Sequence, residues 1–402
     1  GALRVLGLVY RELPDQDSAE DISGELVLVG LVGMIDPLRD EARATIATCR
    51  KAGIRTVMIT GDQQATAAPI AQQLGLDRDA QGHPLRIVHA RQLTGLDDAG
   101  WSRVVSEAAV FALASPEHKL RIVEALQGQG QVVAMTGDGV NDAPALRKAD
   151  IGIAMGIRGS DVAKESSAMF ITDDNFSTIV GAVEQGRIVV HNLLRFIHYL
   201  FSCNFAEIVT VFAAIMIGWP LPLGVLHILW LNPITDIFAA MALALDPSAP
   251  DVMKRPPRDP SAPLMTPAFG WLIVWQGLLL AACTLAALAV ALDWYGAEEP
   301  GLRRAVTIAF MTPALAQVVH AFSARSRARS AFWTRLFTNG WLWGARLICV
   351  LLQLAAVYVP ALRAVLNATA LGTADWGLIV VAALAPLAVV EAIKDAQPRC
   401  AS

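Results

Sequence analysis

Charge is scarce in this sequence. Asp, Glu, Lys and Arg supply 17% of its 402 residues, against 54% apolar residues. A mean hydropathy of +0.47 rules out an ordinary soluble globule over the whole length. Positive charge is not in excess. The 32 Lys and Arg against 36 Asp and Glu leave a net −4 and signal no basic face, so no nucleic-acid partner is expected. Cysteine is sparse and scattered: Cys49, Cys203, Cys283, Cys349 and Cys400 include no Cys-x-x-Cys pair. That spacing excludes a zinc site and a disulfide framework and leaves free thiols facing a cytoplasm. Repeats, clear linkers and a signal peptide are also lacking. The chain opens at Gly1 on the apolar run Ala2–Tyr10, which reads as a strand cut from a longer polypeptide.

The apolarity is uneven. Residues 1–190 hold most of the charge and read as a globular domain; residues 191–402 are dominated by long apolar runs and read as a membrane domain. In the first part, short β-branched runs at Leu26–Val32, Arg55–Thr60, Val110–Ala114, Val132–Thr136 and Ile151–Met155 predict strands. They alternate with helical patterns at Glu41–Ala52, Gln64–Leu74, Pro116–Gln127 and Asp142–Lys148. Such alternation predicts a parallel sheet covered by helices, with ligands at the carboxyl ends of its strands.

Two of those strands end in the same turn, Thr60-Gly61-Asp62 and Thr136-Gly137-Asp138. Glycine lets backbone approach an anion, and the threonine hydroxyl and neighbouring N–H groups suit phosphate oxygens. Asp138 and Asp142, on one turn, suit a hard cation such as Mg²⁺. Lys119, near the start of a helix, is placed to neutralise phosphoryl charge.

The second part contains about six spans, near 194–217, 223–245, 269–292, 304–323, 341–361 and 375–394. Polar groups inside spans are costly, and here they are clustered. The first span holds Ser202, Asn204 and Glu207; the second holds Asn232, Thr235 and Asp236 beside Pro233. Spacings of three and four put each set on one helix face. Two facing helices then offer carboxylates, amide oxygens and a hydroxyl to one dehydrated cation, and Pro233 is expected to unwind its helix locally. Trp271, Trp275, Trp341 and Trp343 are expected at the lipid interface.

These motifs together resemble the P-type cation-transporting ATPases, whose phosphorylation domain belongs to the haloacid dehalogenase superfamily. The resemblance runs through Val32-Gly-Met-Ile-Asp-Pro37, Thr60-Gly-Asp62, Lys119, Thr136-Gly-Asp-Gly-Val-Asn-Asp-Ala-Pro144 and Asp173-Asp-Asn-Phe-Ser-Thr-Ile179. It implies a fold class: an α/β, haloacid dehalogenase-like Rossmannoid phosphorylation domain, then an all-α transmembrane domain of about six helices. It also implies roles. Asp138 would bind the catalytic Mg²⁺, supported by Asp142. Thr60, Gly61, Lys119 and Asn141 would hold the phosphoryl group, and Asp62 would lie near the nucleotide of ATP. Asn204, Glu207, Asn232, Thr235 and Asp236 would hold the transported cation.

Six spans after the phosphorylation domain fit the ten-helix branch, and the Asn-x-x-Glu and Asn-x-x-Thr-Asp patterns look like calcium pumps. Gln317 stands where two-site calcium pumps carry a glutamate, so the pattern is closer to single-site Ca²⁺/Mn²⁺ pumps and their bacterial relatives. After Asp236 the chain reads Ile237-Phe238, where calcium pumps usually have Gly-Leu-Pro. Ca²⁺ is the leading ion; Mn²⁺, Na⁺ or Mg²⁺ pumps are the alternatives, and outside the enzyme class a truncated membrane scaffold or regulator.

The expected location is multi-pass in a bacterial plasma membrane, among lipids, with the soluble domain in the cytoplasm. Lys254, Arg255 and Arg258, and then Arg325, Arg327, Arg329 and Arg335, fall on the cytosolic side, while the far-side loop Gly218–Pro222 has no basic residue. Arg303 and Arg304 run against the pattern.

The sequence contains no Asp-Lys-Thr-Gly, the motif that carries this family's nucleophile, and no dephosphorylating Thr-Gly-Glu. The expected partner is therefore the missing N-terminal part of the pump, in cis or in trans. These 402 residues alone are expected to form no phosphoenzyme. Acid quenching after incubation with radiolabelled ATP checks this: an acid-stable, hydroxylamine-sensitive label on the chain would contradict it.

Overall fold

The computed structural model describes residues 4–10, 26–34, 38–79, 82–247, 251–325 and 339–396. Two compact units emerge: the described parts of 1–185 with 250–261, and of 186–249 with 262–402.

The first unit opens on β1 (Arg4–Tyr10) and β2 (Val27–Met34), an antiparallel pair running in register from Arg4 opposite Met34 to Tyr10 opposite Val27. The parallel arrangement expected for Leu26–Val32 is thus corrected. Alternation of strands and helices along the sequence does not by itself fix the sense in which two successive strands pair. There follow α1 (Asp40–Lys51), β3 (Met58–Ile59), α2 (Gln64–Leu74), β4 (Arg86–His89), α3 (Asp98–Glu107), β5 (Ala108–Ala112) and α4 (Pro116–Gly128). Then come β6 (Ala134–Gly137), a 3-10 turn (Val140–Asp142), α5 (Ala143–Lys148), β7 (Ile151–Met155), α6 (Asp161–Glu165) and β8 (Met169–Ile171).

Local chemistry accounts for several of these boundaries. In α1, Asp40 and Glu41 open the helix and Arg50 and Lys51 close it, complementing its dipole. Helix α2 stops at Gly75, whose φ of 71° is left-handed. Strand β5 is buried on both faces, as a central parallel strand requires.

The single parallel sheet expected is instead two three-stranded parallel sheets among the described residues, β3-β5-β4 and β6-β7-β8. Both Thr-Gly-Asp strands, β3 and β6, are edge strands. A shared apolar core, including Val105, Phe111, Ile122, Met135 and Ala154, lies between strands and helices of both sheets. The segment from Val252 to Lys254 and the prolines after it pack on α1: a Cβ added to Gly53 (φ 71°) would lie 2.7 Å from Pro257.

The long helix α7 (Phe176–Ile217) starts in the first unit and continues in the second. The second unit goes on with α8 (Val225–Trp230), a π-helical turn (Leu231–Asp236) and α9 (Ile237–Ala244), followed by α10 (Pro267–Tyr295) and α11 (Gly301–Ala324). The last three are α12 (Gly340–Tyr358), α13 (Pro360–Val365) and α14 (Thr373–Ala396). Six of these helical stretches are long and apolar enough to cross a membrane, counting α8 through α9 as one. The expected span ends are close. The exception is the first, expected from 194, whose helix begins at Phe176; the span expected to 361 stops at Tyr358 because Pro360 begins α13.

Pro233 does not unwind its helix as expected. Lacking an N–H, it widens one turn to π geometry while the rod continues into α9. The most buried span is α11, packed against α10, α12, α14 and the π turn. Of the expected interface tryptophans, Trp271 and Trp341 are strongly exposed on the bundle surface.

Close approach of α10 to α7 depends on Gly277. A Cβ there would lie 2.8 Å from the Phe205 ring and 3.0 Å from the Ser202 carbonyl oxygen. Gly277→Val is expected to destabilise the bundle by ~1–3 kcal/mol through overpacking. Gly270→Ala on the same helix, with open space at its Cβ, should be close to neutral. Thermal unfolding in detergent, followed by tryptophan fluorescence, checks the difference.

Candidate functional sites

The Thr60–Asp62 turn is held on both sides by β5. Thr60 N–H donates to the Phe111 carbonyl (2.9 Å), and its own carbonyl accepts from Ala114 N–H (3.0 Å). Leu113 N–H donates to the Asp62 carbonyl (2.9 Å), and Leu113 itself sits at a φ of 56°, strained for a leucine. Within the turn, Thr60 Oγ1 lies 3.0 Å from Asp62 Oδ2 and accepts from Asp62 N–H at 3.1 Å. The loop stays exposed at Gly61 and Asp62.

Lys119 rises from a well-capped helix. Ser115 Oγ accepts from His118 N–H, and His118 Nδ1 accepts from Ser115 N–H (3.1 Å), with Pro116 in the first helical position. Lys119 Nζ then reaches Asp142 Oδ1 at 2.5 Å. The other oxygen of Asp142 accepts from Gly139 N–H (3.2 Å). Gly137 makes this possible, since a Cβ there would lie 2.5 Å from Asp142 Cβ. Asp142 is buried, while Asp138 and Asn141 are exposed on the same loop.

The structure therefore joins Lys119 to Asp142 and leaves the Asp138 and Asp62 carboxylates without an ion pair among the described residues. Asp142 thus meets one donor on each oxygen, while Asp138 on the same loop is exposed. No hydrogen bond joins the Thr60–Asp62 turn to the Asp138–Asp142 loop.

Asp174 has a role that the spacing did not reveal. Its carboxylate accepts from the N–H groups of Ile157 and Arg158, each at 2.9 Å, and Arg39 donates to its carbonyl. Those backbone donors, Ile157 foremost, hold the Asp174 carboxyl below the usual carboxylate range. The only signal in the sequence was the Asp173-Asp-Asn run ahead of a helix. Asp36 and Pro37 of the earlier motif lie outside the described residues.

In the bundle, Glu207 on α7 accepts from Gln317 Nε2 on α11 (2.8 Å), with Asn232 of the π turn alongside. Thr235 Oγ1 accepts from Gln353 Nε2 on α12 (2.8 Å), and Gln353 Oε1 accepts from Trp230 Nε1 (3.1 Å). Asp236 Oδ1 accepts from Tyr199 on α7 (3.1 Å). Three buried oxygens here have no hydrogen-bond partner among the described residues: Asp236 Oδ2, Gln317 Oε1 and Ser202 Oγ.

Asn232 uses its amide nitrogen on the Ile228 carbonyl (3.0 Å), which leaves its oxygen for other use. Asn204 is half-buried and no hydrogen bond joins it to the others. The described residues hold no group of three or more His, Cys, Asp and Glu, so a cation here would rest on two carboxylates and neutral oxygens. Tyr199 and Gln353 were missed, since a single polar residue in a span carries no pattern.

Other carboxylates in the bundle differ. Asp375 accepts from Arg304 (2.6 and 2.9 Å), Tyr295 (2.6 Å) and Gly372 N–H (2.7 Å). Glu391 accepts from Ser323 (2.6 Å) and Lys394 (2.9 Å). Arg304, which ran against the loop-charge pattern, is thus neutralised by Asp375. Arg325, expected as a loop charge, is buried and paired with Asp246 instead. Arg327, Arg329 and Arg335 lie outside the described residues.

Comparison with known proteins matches two family models, a haloacid dehalogenase-like hydrolase over residues 8–150 and the C-terminus of cation transporting ATPases over residues 220–395. Similar proteins include calcium-transporting ATPase 1 of Bacillus cereus (42% identity; 98% of this chain and 46% of that protein). Another is the calcium-transporting ATPase of Bacillus subtilis (43% identity; 94% and 42%). A third, probable cation-transporting ATPase F of Mycobacterium bovis, is 40% identical (96% and 42%). The chain spans less than half the length of these relatives.

Lys119→Ala would leave Asp142 buried without its counter-charge. Removing one partner of a buried pair costs ~3–5 kcal/mol, and the cost here should sit at the lower end because Lys119 keeps some exposure. Lys119→Ala/Asp142→Leu, which removes both charges, should recover much of it. Urea unfolding of the first unit measures both; equal losses in the single and double variants would contradict the pairing.

Proposed function

Starting from a chain that belongs to the P-type cation-transporting ATPases, we propose that its membrane unit carries one Ca²⁺ site and its first unit the Mg²⁺ and phosphate supports of ATP-driven transport. The observation that carries this reading is the cluster of partnerless buried oxygens. Such groups are costly inside a low-dielectric bundle unless a ligand satisfies them. A hard divalent cation takes six to eight oxygens, and Glu207, Asp236, Asn232, Thr235 and Gln317 offer carboxylate, amide and hydroxyl donors from three helical segments. Two carboxylates match one divalent charge. Neutral Gln317 argues against a second site. Mn²⁺ shares this oxygen preference and is the closest competitor, whereas Na⁺ would leave a net negative charge in the bundle.

In the first unit, the exposed Asp138 at the carboxyl end of β6 fits a metal that also binds phosphate, since Mg²⁺ is held by one or two carboxylates plus phosphate oxygens. Bound Mg²⁺ would neutralise charge on the phosphoryl group. The residues themselves do the positioning. Asp142 fixes the loop through Gly139 and aims Lys119, Thr60 presents its hydroxyl and Gly61 its backbone N–H, Asn141 adds an amide, and Asp62 faces the nucleotide side.

The nucleophile has to come from the remaining part of the pump, in cis or in trans. A strand paired on the free edge of β3 or β6 would bring it beside these turns. The first unit then faces the cytoplasm, where ATP is, and the bundle sits in lipid of a bacterial plasma membrane. A scaffold would have no use for a partnerless carboxylate oxygen, Asp236 Oδ2, in the middle of a span.

Equilibrium binding of ⁴⁵Ca²⁺ to the detergent-purified chain tests the cation site. One ion per chain is expected, displaced by Mn²⁺ but not by Na⁺. Glu207→Gln and Asp236→Asn should each weaken binding by at least about 100-fold, in keeping with ~3 kcal/mol per lost charged ligand. Unchanged binding in both variants would sink the assignment.

A further inference from the structure

One carboxylate outside the cation cluster touches every helix that builds it. Asp246 lies just beyond α9, its N–H bonded to the Leu243 carbonyl, and is almost fully buried. Arg195 of α7 reaches its Oδ2 at 2.5 Å. Arg325, at the end of α11, reaches its Oδ1 at 2.9 Å through Nη2 and at 3.2 Å through Nε. Asn339, the N-cap of α12, donates to Oδ1 at 3.0 Å and to the Ala242 carbonyl at 2.9 Å, while its own oxygen caps Leu342 N–H. Asn192 of α7 completes the ring by donating to the Asp246 carbonyl (2.9 Å) and the Ala244 carbonyl (3.0 Å).

The same four elements supply the cluster: α7 gives Glu207 and Tyr199, the π turn before α9 gives Asn232, Thr235 and Asp236, α11 gives Gln317, and α12 gives Gln353. Along the helices the two levels are separated by a few turns. Asp246 follows Asp236 by ten residues, Arg195 precedes Glu207 by twelve and Arg325 follows Gln317 by eight, which is ~12–18 Å at 1.5 Å per residue.

We infer that Asp246 is a positioning residue for the cation site, clasping at one end of the bundle the four helices whose oxygens meet further along it. The physical argument is about register. Each of these helices is free to slide or rotate against its neighbours at low cost, because apolar packing in a bilayer is weakly directional. A buried carboxylate held by two guanidiniums and an amide has few alternative arrangements and a high cost for breaking. It converts four separately mobile ligand-bearing helices into one set, and a ligand set fixed in advance binds its ion more tightly. Asp236 ends the widened π turn and runs directly into α9, so the clasp just beyond α9 holds the rod that carries this irregular segment.

This inference rests on the cation-site reading, and the experiment separates the two. ⁴⁵Ca²⁺ binding is measured on the purified chain, with size-exclusion profile and thermal unfolding recorded on the same samples. Glu207→Gln reports on the site itself: if it leaves affinity unchanged, the site reading fails and the positioning role fails with it. If Glu207→Gln abolishes binding, Asp246→Asn is expected to weaken affinity about tenfold, ~1.4 kcal/mol, with one ion per chain still bound at saturation. Arg325→Gln should act in the same direction. The double variant should be no weaker than the worse single, because both act through one contact.

A merely structural residue would lower the unfolding temperature and leave affinity in the folded fraction unchanged, and that result overturns the inference. Where Asp246→Asn does not fold, Asn339→Ala, which removes one donor only, is read in its place. A folded Asn339→Ala with wild-type affinity overturns it equally.

Discussion

Everything in the membrane unit turns on the cost of an ionised oxygen away from water. A carboxylate there has to be met by donors or by a cation. The buried carboxylates of the bundle fall into two groups. Asp246, Asp375 and Glu391 are surrounded by guanidinium, ammonium, hydroxyl and amide donors and so act as permanent ties between helices. Glu207 is met only by the neutral amides of Gln317 and Asn232, and Asp236 by the Tyr199 hydroxyl, with its second oxygen lacking a partner among the described residues. The proposed cation site rests on this difference between saturated and unsaturated carboxylates.

The ties also explain how an irregular segment is tolerated. Pro233 removes a backbone donor in the middle of a span, and the chain responds by widening one turn. That turn is enclosed by Gln353 and Trp230 on one side and Tyr199 on the other. Arg304, which runs against the loop-charge pattern, and Arg325, which was counted as a loop charge, are the partners of two of the ties. Their positions follow from ion pairing inside the bundle rather than from orientation across it. In the first unit the same logic appears on a smaller scale: Lys119 and Asp142 are mutually satisfied, and Asp138 is exposed.

Much of this was legible in the sequence, for identifiable reasons. The six spans, helix α2 and strand β7 could be read because apolar periodicity is long or cleanly bounded there. Glu207, Thr235 and Asp236 stood out because charge and hydroxyls inside apolar runs are rare. What could not be read depends on partners distant in sequence. Nothing around Asp246 indicates that Arg195, Arg325 and Asn339 converge on it. Tyr199 and Gln353 gain meaning only from the oxygens they donate to. Strand β4 and helix α3 were overlooked because one is four residues long with charged ends, and the other contains glycine and two valines. The antiparallel pairing of β1 with β2 and the division into two sheets are matters of edge pairing, which alternation alone does not determine.

The most direct test of the central claim is an experimental structure of the protein in Mn²⁺, with the metal located by its anomalous scattering. The account predicts one intramembrane peak, within the ~2.0–2.6 Å of hard-cation oxygen ligation from both Glu207 and Asp236. No peak at saturating Mn²⁺, or one that touches neither carboxylate, would contradict it.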